Sequence, residues 1–325
     1  MRQIIECVPN ISEGRDQAKI DRVVGSLRNH SGFSVISAEA DKDYNRTVIT
    51  VIGDPEAIMA ALPGFVAAAI AEIDLNCHQG EHPRMGAVDV IPFVPISGLD
   101  IEECVGFAER TGQVLAERFD IPVFLYAKAA KRPERILLPD IRKGEFEGMK
   151  EKIKDPLWAP DYGRAAIHPT FGAVAVGARM PLVAFNVDLA TVDEKPAKDI
   201  SRYLRASSGG FQFVQAGPAF LEQRGHMQVT MNLLDHLKNP IYRILETVKM
   251  EARRFRIGVT GCEIVGLVPA AALLESIRYY RQSEGRKTPP DMTFAEIAAE
   301  AVLRLGLRDF SVDKIIEANL PEESS

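Results

Sequence analysis

The sequence predicts an α+β fold built on antiparallel sheets. Two observations carry this: the first hundred residues read in the order strand, helix, strand, strand, helix, strand, and the same order recurs after residue 180. That β-α-β-β-α-β order is the split β-α-β, or ferredoxin-like, arrangement, with both helices on one face of the sheet.

Gln3 to Pro9 reads as a strand ended by Pro9-Asn10, and Ser12-Glu13-Gly14 as a turn. Arg15 to Leu27 reads as a helix, because Ile20, Val23, Val24 and Leu27 recur at helical spacing. Gly32 to Ala38 alternates and Arg46 to Ile52 is β-branched, so both read as strands. The charged residues from Glu39 to Asn45 form the hairpin or loop between them. Pro55 to Ile73, rich in alanine, leucine and isoleucine, reads as a helix with a buried face, and Val88 to Pro95 as a core strand. A helix over 101–119 and a strand over 123–126 extend the pattern. The Lys/Arg/Pro-rich passage Ala127 to Leu157 reads as a connecting arm with one or two short helices.

In the second half Leu182 to Val187, Phe211 to Gln215, Met227 to Leu233 and Gly258 to Ile264 read as strands. Glu194 to Arg205 and Pro240 to Arg253 read as helices, and Pro269 to Tyr280 and Thr293 to Leu305 as amphipathic ones. The topology repeats without close internal sequence identity. Glu322 to Ser325 reads as a disordered tail.

A chain of 325 residues usually forms two domains with a sizeable core. Its 46% hydrophobic and 26% charged residues are ordinary for a soluble protein. A net charge of −6 gives no general attraction to nucleic acid or an anionic membrane, so neither is expected as a partner. No N-terminal leader pattern and no apolar run of about 18 residues is evident, and a cytoplasmic location is expected. The four cysteines, Cys7, Cys77, Cys104 and Cys262, show no CxxC pairing and read as free thiols of a reducing compartment.

The chemistry concentrates in Asn76 to Ser97, NCHQGEHPRMGAVDVIPFVPIS. His78, Glu81, His82 and Arg84 lie on a short loop that Gly80, Pro83 and Gly86 keep from becoming a helix. Without that helix the four-residue spacing of His78 and His82 loses its meaning for a metal, and the cysteines give no third ligand, so no metal is expected. An imidazole titrating near neutrality serves better as a proton carrier, and a carboxylate such as Glu81 or Asp89 can orient it. The competing reading is a structural hydrogen-bonding histidine.

GEHPRMGAVDVIPFVP at 80–95 resembles the signature segment of the glutamate formimidoyltransferases, the folate-dependent enzymes of histidine breakdown. ECVPNISEGRD at 6–16, NRTVIT at 45–50, WAPDYG at 158–163, PTFGAVAVGAR at 169–179, LVAFNVDL at 182–189, QVTMNLLD at 228–235 and GCEIVGLVP at 261–269 continue the likeness almost end to end. It implies an N-terminal subdomain over 1–179 and a C-terminal one over 180–325, with two ferredoxin-like sheets facing each other across a ligand cleft. In animals the family is fused to a cyclodeaminase, and the short stretch after Leu320 gives the expectation of a stand-alone form.

The resemblance implies transfer of a formimidoyl group from N-formimidoyl-L-glutamate to N5 of tetrahydrofolate as co-substrate, with His82 as the family's catalytic histidine. Of the acids Glu39, Asp41 and Asp43, Asp41 is taken as its assistant. Arg46, Arg84 and Arg179 lie in matching segments and are expected to clamp carboxylates, as paired guanidinium donors do. Gly163, Arg164, Ala165, Ala166, Ile167, His168, Pro169, Thr170, Phe171 and Gly172 correspond to the folate-binding segment. Gly172 and Gly177 either let the backbone approach a pterin or mark turns and a bulge. A homodimer is the expected assembly. Two other readings stay open: another formimidoyl donor, such as formimidoylglycine, and a folate-binding protein without turnover.

Overall fold

The computed structural model describes residues 3–222 and 224–319, so the tail at Glu322 to Ser325 lies outside the described residues. The fold is mixed α+β, with a seven-stranded and a four-stranded sheet in two units that divide after Arg179.

The first unit runs β1 (Ile4–Cys7), β2 (Asn10–Ile11), α1 (Gln17–Gly25), β3 (Phe33–Asp41), β4 (Arg46–Gly53), α2 (Pro55–Glu72), β5 (Val88–Ser97), α3 (Ile101–Phe119) and β6 (Val123–Ala127). The arm holds α4 (Leu138–Arg142) and α5 (Glu145–Lys152), and β7 (Val174–Ala178) ends the unit. Local signals set the helix starts. Asp16 and Asp54 accept backbone N–H bonds at the first turns of α1 and α2, and Asp100 forms a capping box with Glu103 at α3.

Across the sheet the strands lie β3, β4, β1 with β2, β5, β7, β6. The pairings from β3 to β5 are antiparallel, whereas β7 runs parallel to both β5 and β6. This corrects the wholly antiparallel expectation. The sequence reading passed over β7 because GAVAV carries little bulk. Val174, Ala175, Val176, Gly177 and Ala178 are all buried, and a central parallel strand is covered on both faces, so small residues suit it.

Alternation splits the core. Val123, Leu125, Val174 and Val176 join Ile20, Phe65 and Phe107 on the side of α1, α2 and α3. Phe124, Tyr126 and Ala175 point the other way, where Ile141 of α4 and Met149 of α5 cover them. The arm is therefore a second layer over one end of the sheet. Helix α2 carries charge only at Glu56 and Glu72 and is, by length and composition, long and apolar enough to cross a membrane, contrary to the expectation of no such run; Ile58, Leu62, Phe65, Val66 and Ala69 lie in the main core.

The second unit contains β8 (Val183–Leu189), α6 (Glu194–Leu204), β9 (Val214–Leu221), β10 (His226–Leu233), α7 (Ile241–Arg254), β11 (Val259–Val265), α8 (Ala270–Ser283) and α9 (Phe294–Leu305). Its sheet order is β11-β8-β10-β9, antiparallel throughout. Strand β9 starts and ends later than Phe211 to Gln215. It runs through Pro218, which an edge strand tolerates because one side of it needs no ladder donor.

Candidate active site

Between α2 and β5 the chain crosses the end of the first sheet as a loop. Three sets of hydrogen bonds fix it. The β3–β4 turn holds it from one side: Tyr44 O accepts from His82 N at 3.3 Å and Asp43 O from Glu81 N at 3.2 Å. Asn45 is the hub. It is buried, with φ at +49°, and its Nδ2 donates to Gln79 O at 2.9 Å while its Oδ1 accepts from Gly14 N at 2.9 Å. Asn45 O also bonds His78 Nε2 at 2.9 Å.

Helix α5 holds the loop from the other side. Arg84 donates from Nη1 to Glu145 at 2.8 Å and from Nη2 to Glu147 at 2.7 Å. Its Nε donates to His78 Nδ1 at 3.2 Å. That nitrogen must then be the acceptor, so His78 carries its proton on Nε2 and gives it to Asn45 O. Burial holds His78 below the ordinary histidine pKa, so both ring nitrogens are spent on structure.

His82 is only 3% exposed. Glu81 and Pro83 on either side of it are exposed, so the side chain between them turns inward. Its Nδ1 is buried with no hydrogen-bond partner among the described residues. Burial pushes the imidazole down to about 4, against the pull of Asp89 and with the push of Arg142, Arg46 and His78. The expectation of titration near neutrality is corrected accordingly: desolvation penalises the charged ring more than one carboxylate favours it.

Asp89 supplies that carboxylate, whereas Glu81 points to solvent. Asp89 is wholly buried in β5, a single charge inside an apolar run. Its Oδ1 accepts from Met85 N at 2.7 Å, and its Oδ2 from Arg142 Nε at 2.8 Å and from Arg142 Nη2. Arg142 belongs to the arm, where the sequence shows only one basic residue among many.

The other expected residues divide. Arg46 is half-buried, its guanidinium 5.3 Å from the Tyr44 ring and its Nε buried without a partner among the described residues. Arg84 is committed to the two glutamates, which corrects its expected role as a carboxylate clamp. Arg179 bonds the Tyr126 hydroxyl and acts on buried Glu6, while burial raises both of those groups, Tyr126 to about 12. Asp41 caps the hairpin turn: its Oδ1 accepts from Asp43 N and Tyr44 N, each at 2.9 Å. The acid acting on His82 is therefore Asp89, not Asp41.

The segment 163–172 is exposed from Gly163 to Ala166 and then turns into the base of the His82 loop. Thr170 O accepts from Leu75 N at 2.9 Å, and Phe171 O from Ala87 N at 2.8 Å. Gly172, at φ +82°, leaves no room: an added Cβ would lie 2.2 Å from Met85 O. Gly172→Ala is expected to cost roughly 1–3 kcal/mol, read as a lower urea midpoint; an unchanged midpoint contradicts this packing. Gly177 sits inside β7, where the Tyr126 ring lies against it, so it marks neither a turn nor a bulge. Among the described residues no group of three or more His, Cys, Asp or Glu is placed to hold a metal ion.

Comparison with known proteins gives matches to both halves of the chain. The formiminotransferase domain, N-terminal subdomain, matches residues 4–179, and the formiminotransferase domain matches 184–320. A glutamate formimidoyltransferase of Streptococcus pyogenes serotype M1 is 46% identical over 284 residues, 87% of this chain and 95% of its own length. One from Thermoplasma acidophilum is 42% identical over 285 residues, 87% and 93% of the two chains. The formimidoyltransferase-cyclodeaminase of Mus musculus is 40% identical over 290 residues, which cover 87% of this chain but 53% of that protein. Matched in both halves and along nearly the whole length of stand-alone relatives, the chain belongs to the formiminotransferase family.

Proposed function

We propose that the protein transfers the formimidoyl group of N-formimidoyl-L-glutamate to N5 of tetrahydrofolate, with His82 moving the proton. The supporting observation is the pair of buried, unpartnered nitrogens, His82 Nδ1 and Arg46 Nε, at one charged cluster. Buried polar atoms are seldom left without partners, and where they are, a function is a fair inference.

In this reading N5 attacks the amidine carbon, a C–N bond forms, and neutral His82 takes the N5 proton. The imidazolium so formed is a strong acid in its buried site, and it gives the proton to the glutamate nitrogen as that C–N bond breaks. Arg46 offers a donor to a substrate carboxylate. The ring is only 3% exposed, so substrate reaches it only when the loop around it opens. The segment 163–172, tied to the loop base, takes the folate. A ferredoxin-like arrangement within each half, the cytoplasmic location and the homodimer belong to the same proposal.

The test is a spectrophotometric transfer assay with tetrahydrofolate and each of two donors, N-formimidoyl-L-glutamate and formimidoylglycine. Turnover with the glutamate donor is expected. Turnover with the glycine donor alone, or folate binding without transfer, contradicts the proposal.

A further inference from the structure

We propose that the Asp89–Arg142 ion pair is a positioning pair for His82: it fixes the end of the loop that carries the imidazole and sets one charge against the other beside it. The inference rests on the reading of His82 as the proton carrier.

The geometry is specific. Asp89 is fully buried, and its two oxygens do different jobs. Oδ1 takes the Met85 N–H and closes the loop three residues after His82, while Oδ2 takes Arg142. Arg142 is itself held in place. It ends α4, whose Ile141 is buried against the sheet, and Lys152 Nζ ties that helix end by donating to Asp140 O at 2.6 Å and Ile141 O at 2.8 Å. Lys152 also lies 3.8 Å from the Trp158 ring centroid. The arm thus delivers one guanidinium to one carboxylate in β5.

Stability gives little reason for such a pair, since buried ion pairs add little over apolar side chains of similar size. Its value lies in what each charge does to the ring. Asp89 alone would make the ring easier to protonate, and Arg142 alone harder. The other groups acting on the ring are Arg46 from β4 and His78 from its own loop. Glu145 and Glu147 of α5 are bound to Arg84. With both present the two charges largely offset each other, and burial keeps the ring neutral.

The test uses the whole protein and three variants, Asp89→Asn, Arg142→Gln and the double variant. Two readouts are followed: the acid limb of kcat/KM against pH, and the NMR titration of the His82 ring. Arg142→Gln is expected to raise the His82 pKa by about one unit, and Asp89→Asn to lower it. The double variant should return toward the parent, because the asparagine amide oxygen can still accept the Met85 N–H while both charges are gone. A merely structural pair would leave the ring titration unmoved and make the double variant at least as impaired as either single one; that result overturns the proposal. Arg142 is the more exposed partner, so Arg142→Gln decides the direction by itself if Asp89→Asn does not fold. His82→Asn separates the two readings: if it keeps full transfer, the proton-carrier reading fails. If it abolishes transfer while the pair variants leave the His82 titration in place, only the present inference fails.

Discussion

His82→Asn is expected to lower the rate of formimidoyl transfer by about a hundred- to ten-thousand-fold, with folate affinity changed only a few-fold. Asparagine keeps a polar group at the buried position, but it cannot accept a proton from N5 and pass it on. Loss of folate binding with an unchanged rate on bound substrate would instead make His82 a binding residue. A pH signature goes with this result. The ring is held near pKa 4 in the folded chain, well below the ordinary histidine value, so the neutral form persists as pH falls through 6. In the free enzyme the acid limb of kcat/KM attributable to His82 should lie below pH 6. The same shift links to folding. Between about pH 6.5 and 4 the unfolded chain binds a proton that the folded chain refuses, so this site removes stability as pH falls through that window. Above about 6.5 its contribution is constant.

The second large effect is expected at Asn45. Asn45→Ala takes the acceptor from Gly14 N–H and the donor from Gln79 O, and it places a residue with no compensating hydrogen bond at positive φ. Each unmade bond costs roughly 1–3 kcal/mol where the partner stays buried, and alanine at this backbone conformation adds roughly 1 kcal/mol. A loss of about 2–5 kcal/mol is expected on that basis, read as a lower midpoint in urea. The transfer rate should fall with it, because the same residue anchors the Gln79 side of the His82 loop. A variant with parental stability and rate would show that the hub is dispensable.

The sequence carried the element order well because strands such as RTVITVI and helices such as the one over 101–119 have strong periodicity and clear caps. It did not carry β7, whose small residues give no periodic signal, nor the parallel direction of its pairing, which depends on partners distant in the chain. At the site, the loop residues were legible from their glycines, prolines and histidines. Their division of labour was not. Nothing in HQGEHPR distinguishes the histidine wired to Asn45 and Arg84 from the one with an unpartnered nitrogen. That Arg84 would be consumed by Glu145 and Glu147 depends on a helix about sixty residues away. Asp89 was visible as a charge within an apolar strand, but its partner Arg142 was indistinguishable from the other basic residues of the arm. Asp41 looked catalytic because of where it falls before Asn45-Arg46; the turn it caps explains its place equally well.

A structure with tetrahydrofolate bound tests the central claim most directly. The account predicts the pterin N5 within hydrogen-bond reach of the His82 ring, about 2.6–3.2 Å, with the His82 loop opened to admit it. A bound pterin whose N5 lies elsewhere, with the imidazole still walled in beside Asp89 and Arg142, would contradict it.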